Sequence, residues 1–256
     1  MSVNEFLLNG KTAFVSGGGK GVGAGAVKVL ARRGVNVGIN YYSSEELALS
    51  LYKSVKDEGG SAILLKGDVS KREQVDKMLS ELAQAYGGIN ILVNNAGMQK
   101  NQWIPEYSEE DYDYLMSVNI KGYFLCTQAV IPYMKEAGGG RILNISSVHA
   151  ERPTDFDPVY SMTKGANKML TRESALEFGK YGVTVNAIDL GAIAIEGKTG
   201  SPQDIRSKPG FMPYKDPGRR RVATPEEVGI LAANLLSTGD FLNGASVRFD
   251  GGRWLV

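Results

Sequence analysis

Lys11-Thr-Ala-Phe-Val-Ser16 runs directly into Gly17-Gly-Gly-Lys-Gly-Val-Gly23, and the reading of this stretch decides the fold. The first six residues form a short run rich in strand formers. After the glycines, Val22, Ala26, Val29 and Leu30 fall on one face of a helix that ends at Gly34. A glycine run alone is as readily a plain turn. Placed between a strand and a helix it is a phosphate-binding turn, because glycines allow a sharp bend and a close approach to the backbone. The helix N-terminus then presents N–H groups and a dipole that favour an anion such as a pyrophosphate.

Outward from this unit the pattern repeats. Strands are expected at Val35–Tyr41, Ala62–Lys66, Ile89–Val93, Arg141–Ile145, Val183–Ile188 and Ala245–Phe249. Helices are expected up to about Glu58, over Lys71–Tyr86, over Ser108–Glu136 with a bend near Gly122 or Pro132, from Pro158 to about Lys180, and over Pro225–Leu236. Seven strands alternating with helices predict an α/β fold of the Rossmann type, a doubly wound parallel seven-stranded sheet with helices on both faces. No repeat or linker divides residues 1–256, so a single domain is expected. Residues 192–222 break the regularity with prolines, glycines and charges, and read as a substrate lid.

Composition excludes several function classes. The net charge of +1 points away from nucleic acid, and no apolar run approaches the roughly 20 residues of a membrane span. The N-terminus lacks the basic and apolar regions of a signal peptide, so a soluble, cytoplasmic protein is expected. With one cysteine and one histidine, neither an internal disulfide nor a Cys/His metal site is expected. A Ser/His/Asp hydrolase would rest on His149, two residues from Ser147 and too local for the usual triad. Cys126 sits in an apolar helical context and reads as a packing residue.

Ligand-facing candidates gather at strand ends. The second strand ends in Tyr42-Ser43-Ser44 with no carboxylate before Glu45. An acid there would bind ribose hydroxyls and repel a 2′-phosphate, whereas these hydroxyls and Lys20 would hold one, although Ser43 and Ser44 also suit a helix cap. Asn94-Asn95-Ala96-Gly97 follows the fourth strand as either a ligand corner or a turn, and Asn119 lies mid-helix where asparagine is poorly suited. Tyr160 and Lys164 are one helical turn apart, and Ser147 precedes them at a strand end. A Tyr-x-x-x-Lys pair alone is common on solvated helices. A phenol beside an ammonium is also a proton donor and acceptor suited to neutral pH.

In this order and spacing, the glycine turn, Asp68, Asn94–Gly97, Asn119, Ser147, Tyr160, Lys164 and Asp250-Gly-Gly resemble the short-chain dehydrogenase/reductase family over nearly the whole chain. Glucose 1-dehydrogenases and 3-oxoacyl-[acyl-carrier-protein] reductases are the members it looks most like. The resemblance implies an oxidoreductase that interconverts a small-molecule secondary alcohol and a ketone, a sugar or polyol among the candidates. Tyr160 would be the general acid/base; Lys164 and the positive charge of the oxidised nicotinamide would together lower its pKa, and Lys164 would also hold the nicotinamide ribose. Ser147 would polarise the substrate oxygen, and Asn119 would hold a water through its backbone. Ser16, Gly17, Gly19, Lys20, Gly21, Val22 and Gly23 would form the phosphate turn. Asp68 and Val69 would meet adenine; Asn95, Ala96, Gly97, Gly191 and Ile193 would line the rest of the cofactor. NADP(H) is expected ahead of NAD(H). Gln99, Trp103, His149 and Glu196 are candidate substrate contacts, with His149 as readily satisfying a loop carbonyl.

The resemblance further implies a homotetramer or homodimer built through the helices at 108–136 and 158–180 and the last strand. Two departures stand out: Leu190 where the family has proline, and Ile195 where a threonine is expected. Two other functions compete with the alcohol dehydrogenase reading. One is an acyl-carrier-protein-linked ketoreductase with Arg219, Arg220 and Arg221 as a basic rim. The other is a non-catalytic dinucleotide sensor, which the presence of Ser147, Tyr160 and Lys164 together disfavours.

Overall fold

The structure, a computed structural model, describes residues 6–154, 157–195 and 222–252. Glu196, Arg219, Arg220, Arg221 and most of the expected lid lie outside these residues. The strands are β1 (Thr12–Val15), β2 (Asn36–Tyr41), β3 (Ser61–Lys66), β4 (Ile91–Asn94), β5 (Gly140–Ser147), β6 (Val183–Leu190) and β7 (Ser246–Phe249). The helices are α1 (Gly21–Arg32), α2 (Glu45–Asp57), α3 (Arg72–Tyr86), α4 (Glu109–Met116), α5 (Gly122–Glu136), α6 (Pro158–Phe178) and α7 (Pro225–Ser237).

All seven strands run parallel in the order β3-β2-β1-β4-β5-β6-β7. From β1 the chain winds outward to β3, returns to the other flank of β1 as β4, and then winds the opposite way. The ends of β1 and β4 therefore flank the point where the winding reverses, and a crevice opens outside them. Alternate residues feed two cores, as strands covered on both faces require. Val15, Ile39, Val93, Leu143 and Ile145 meet α1, α2 and α7, whereas Phe14, Leu92, Ile142 and Val185 meet α3 and α5.

Helix α1 packs on α7 so closely that neither Gly25 nor Gly229 has room for a side chain. A Cβ on Gly25 would lie 2.0 Å from the Pro225 carbonyl oxygen, and one on Gly229 would lie 2.3 Å from that of Gly25. Thr224 and Glu227 cap α7 reciprocally, and Pro225 occupies its first position, so the N-terminus that meets Gly25 is fixed.

Three segments differ from the sequence-based expectation. The helix expected over Ser108–Glu136 is interrupted by a π-helical turn, Ser117–Lys121, between α4 and α5. The turn ends at Gly122, where a side chain would press to 2.8 Å from Val69 Cγ2, and the helix continues through Pro132. Strands β5 and β6 run on to Ser147 and Leu190, beyond the expected Ile145 and Ile188, because they continue to pair beyond the end of β4. No helix among the described residues is long and apolar enough to cross a membrane.

Gly25→Ala is expected to destabilise the protein by about 1–3 kcal/mol or more, since the added methyl meets backbone that cannot yield without moving a helix. Urea unfolding checks this, and an unchanged midpoint would show that α1 and α7 can separate freely.

Candidate active site

The crevice between β1 and β4 is closed at its base by a small set of hydrogen bonds. The Ser16 hydroxyl, at the end of β1, accepts from the backbone N–H groups of Asn95 (2.8 Å) and Ala96 (3.0 Å). The Asn95 side-chain amide donates back to the Ser16 and Gly17 carbonyls, both at 3.0 Å. From the other side, the Asn40 side chain of β2 accepts from Gly17 N at 2.9 Å. Ser16 and Asn95 thus spend their side chains on holding the turn against the corner after β4. Gly17 and Gly21 take φ of +59° and +55°, which side chains rarely adopt. A Cβ at Gly23 would stand 2.4 Å from the Gly17 carbonyl and 2.5 Å from the Asn95 amide. The result is a bare backbone rim opening onto the N-terminus of α1, with Lys20 exposed just before it.

Next to this rim, β5 delivers Ser147, which is 5% exposed. Its hydroxyl donates to the Leu190 carbonyl at 3.4 Å and accepts from His149 N at 3.2 Å. The first contact is long for a hydroxyl bond and is easily exchanged for a ligand oxygen. Helix α6 opens at Asp157, whose side chain accepts from Tyr160 N at 3.0 Å, with Pro158 in the first helical position. Its inward stripe is polar: Thr163, Lys164, Asn167 and Thr171 are buried. Lys164 Nζ donates to the Ile145 carbonyl at 2.9 Å and lies 5.4 Å from the centroid of the Tyr160 ring and 5.6 Å from that of Tyr123. The Tyr123 hydroxyl donates to the same carbonyl at 2.8 Å.

Burial dominates the titration of both groups. It pushes the Tyr160 phenol up to about 12; a hydrogen bond with Ser147 pulls it down and the Asp157 charge pushes it further up. Lys164 falls from 10.5 to about 8 through burial, opposed by the Asp189 carboxylate. In the protein without its cofactor, burial, Ser147 and Asp157 set the phenol. The Lys164 ammonium is directed at the Ile145 carbonyl instead of the phenol oxygen. The site as folded holds a protonated phenol.

Asn119 lies fully buried in the π-helical turn. Its side chain accepts from Met98 N (2.9 Å) and donates to Met98 O (2.8 Å) and Thr163 Oγ1 (3.2 Å). Its backbone carbonyl, the atom expected to hold a water, accepts from the Asn167 amide at 3.1 Å. A carbonyl has a second lone pair, so that bond leaves room for another. Sequence reasoning missed Asn167, and also Asn144, which accepts from Asn94 (2.9 Å) and donates to Thr171 (2.9 Å). The readable signal was an amide on an otherwise apolar strand and another one turn beyond Lys164. Asp157 was missed although Asp before Pro is a helix-start signature.

The other candidates fall as follows. His149 stands edge-on to Tyr160, with ring centroids 6.4 Å apart, and its Nδ1 lies 3.2 Å from the Arg152 carbonyl. Gln99 and Trp103 are exposed on the segment after β4, and Tyr42 and Ser43 are exposed after β2. Ser44 begins α2 without a side-chain capping bond. Asp68 accepts from Ser70 N at 2.8 Å, and Val69 is buried against the π-helical turn. Ile193 is buried and pairs with Ala223, so the segment leaving β6 and the one entering α7 meet. Ile195 reaches over the glycine turn, to 3.5 Å from where a Gly21 Cβ would stand. Among the described residues no group of three or more His, Cys, Asp or Glu side chains could hold a metal.

A doubly wound parallel sheet whose winding reverses between β1 and β4, with Ser147 and Tyr160 together at the end of the neighbouring β5, is the setting in which dinucleotide-binding enzymes hold their ligands. Residues 11–205 match the family model described as short chain dehydrogenase, and the chain belongs to that family. It is 35% identical over 253 residues to glucose 1-dehydrogenase 2 of Bacillus subtilis strain 168, covering 97% of this chain and 96% of that one. It is 27% identical over 245 residues to a 3-oxoacyl-[acyl-carrier-protein] reductase of Staphylococcus epidermidis, covering 96% and 99%. A short chain dehydrogenase of Burkholderia cenocepacia J2315, solved in complex with NADP, superposes with a TM-score of 0.85 at 28% identity, covering 96% and 98%.

Lys164→Met is expected to stabilise the fold by on the order of 3 kcal/mol at neutral pH. Below pH 8 native and unfolded states both carry the Lys164 charge and its burial opposes folding. Between about 8 and 10.5 the native state loses the proton first, so wild-type stability climbs with pH and the gain fades. Denaturant melts of both proteins from pH 6 to 11 check this; a gain independent of pH would contradict it.

Proposed function

We propose that this protein interconverts a secondary alcohol and a ketone with a nicotinamide cofactor, with Tyr160 as general acid/base and NADP(H) ahead of NAD(H). The observation that carries the reading is the convergence of Ser147 and Tyr160 at the end of β5, with Lys164 buried behind them.

The chain's own residues fit such a cofactor. At Gly17 and Gly23 a side chain would collide with backbone and at Gly21 the positive φ disfavours one, which leaves the bare rim a pyrophosphate needs. At the end of β2, Tyr42 and Ser43 are exposed and no carboxylate precedes Glu45. Glu45 itself pairs with Lys66 at 2.7 Å, so its charge is engaged. That leaves Lys20 and the two serine hydroxyls to receive a 2′-phosphate. Asp68 and Val69, the 95–97 corner, Gly191 and Ile193 complete the cofactor groove in this reading. The bound nicotinamide supplies or accepts the hydride.

Ser147 gives up its long bond to Leu190 and donates to the substrate oxygen, polarising it. Tyr160, held protonated by its surroundings, gives its proton to that oxygen in reduction and takes it back in oxidation. Lys164 holds the nicotinamide ribose, and the Asn119 carbonyl offers its second lone pair to a water that returns protons toward Lys164. Gln99, Trp103 and His149 face the substrate from the segments after β4 and β5. For assembly, α5 and α6 expose Phe124, Met162, Met169 and Leu176, apolar groups suited to burial in a homodimer or homotetramer.

Tyr160→Phe is expected to lower kcat/KM by roughly 10²–10⁴ while NADPH still binds, measured by turnover and by fluorescence titration. Substantial retained activity would refute the acid/base assignment, and binding without turnover of any carbonyl by the wild type would favour a sensor. Lys20→Ala is expected to weaken NADPH about tenfold and leave NADH nearly unchanged, as loss of one charged hydrogen bond implies. A panel of sugars, polyols and a short 3-oxoacyl thioester, each run with both cofactors, assigns the substrate class.

A further inference from the structure

Asp157 is fully buried, and the chemistry above does not use its carboxylate. Its Oδ2 accepts from Lys100 N at 2.8 Å. Its Oδ1 accepts from the Tyr107 hydroxyl at 2.5 Å and from Tyr160 N at 3.0 Å. Its own N–H donates to Thr154 Oγ1 at 2.7 Å. The side chain therefore joins residues 98–107 to the first turn of the helix that carries Tyr160, and the backbone N–H of the same residue ties in the approach to α6.

A helix cap needs far less than this. A serine or asparagine at a solvated position caps as well as aspartate, so capping does not explain a buried carboxylate that takes two further donors from another segment. Nor does an ion pair, because among the described residues no salt bridge includes Asp157; Lys100 Nζ pairs with Asp111. A buried charge without a cation is unfavourable, and hydrogen bonds are what hold it here. Its field falls on its neighbours.

The groups facing Tyr160 can be named element by element. Ser147 comes from the end of β5 and the His149 ring, 6.4 Å away, from the turn that follows it. Lys164 comes from one turn along α6, Nζ 5.4 Å from the ring centroid, and the buried Tyr123 phenol comes from α5. Asp157 comes from the start of α6, with Tyr107 reaching it from the segment after β4. Of these, only Asp157 brings a negative charge.

We propose that Asp157 is a positioning residue that links the docking of segment 98–107 to the proton held by Tyr160. While Lys100 N and Tyr107 bind it, the carboxylate stays dry and close, and the phenol keeps its proton for the substrate oxygen. When the segment lifts, water reaches the carboxylate and its hold on the phenol weakens. The segment carries Gln99 and Trp103, so substrate contacts and proton retention change together. The link rests on Tyr160 being the general acid/base; the tether does not.

Asp157→Asn preserves shape and an oxygen for Tyr160 N but removes the charge. The profile of kcat/KM for alcohol oxidation against pH is expected to move to lower pH by on the order of one unit, because the phenolate forms more readily. Amide hydrogen exchange in residues 98–107 is expected to quicken in Asp157→Asn and in Tyr107→Phe, which keeps the charge and loses one tether. A merely structural lesion lowers activity without moving the profile toward acid. A profile left at the wild-type position, or exchange unchanged in both variants, overturns the proposal. If Tyr160→Phe stays active, the acid/base reading fails instead, and exchange, which needs no turnover, still judges the tether.

Discussion

The hydrogen bonds between Ser16 and Asn95 are the constraint on which this structure depends. They join the ends of β1 and β4, neighbours in the sheet whose connecting chain departs in opposite directions. No crossover covers the gap between them, so the backbone groups there must be satisfied locally. One hydroxyl takes two N–H groups and one amide serves two carbonyls, which closes the account without a side chain entering the crevice. The glycines follow from this. With the Asn95 amide lodged against the turn, Gly23 has no room for a Cβ, and the rim stays open for a ligand.

A second constraint lies deeper. A run of amides and hydroxyls passes through the interior from Asn94 and Asn144 to Thr171, Asn167, Asn119 and Thr163, ending on the Tyr160 carbonyl at 2.7 Å. Each member left unpaired would cost about 1–3 kcal/mol, so the run is exacting about geometry. It fixes the π-helical turn against α6, and with it the height at which Tyr160 meets Ser147. A π-helical turn amid α-helix is a local irregularity of the kind that gathers at functional sites. Here it places the Asn119 carbonyl opposite Asn167.

The burial of Lys164 shows the tension between stability and use. An ammonium held near the sheet end with its pKa drawn down to about 8 opposes folding at neutral pH. The Ile145 carbonyl and the Asp189 carboxylate offset part of that penalty. Tyr160 meets the same dry setting without that penalty, because burial and Asp157 favour the neutral phenol it already carries at neutral pH.

Much of this was legible in the chain. The alternation of strands and helices, the glycine turn after β1 and the Ser147, Tyr160 and Lys164 spacing depend on local periodicity and composition, which sequence carries directly. They determined the parallel sheet, the position of the crevice and the residues at its lip. Other features were not local. That Ser16 and Asn95 serve each other, that Asn167 caps the Asn119 carbonyl and that Asp157 gathers Lys100, Tyr107 and Tyr160 depends on contacts between residues tens of positions apart. Polar side chains look alike in sequence whether they face water or a buried partner. Only packing, which removes the water and leaves each donor one acceptor in reach, decided which of them hold the site and which way its pKa values move.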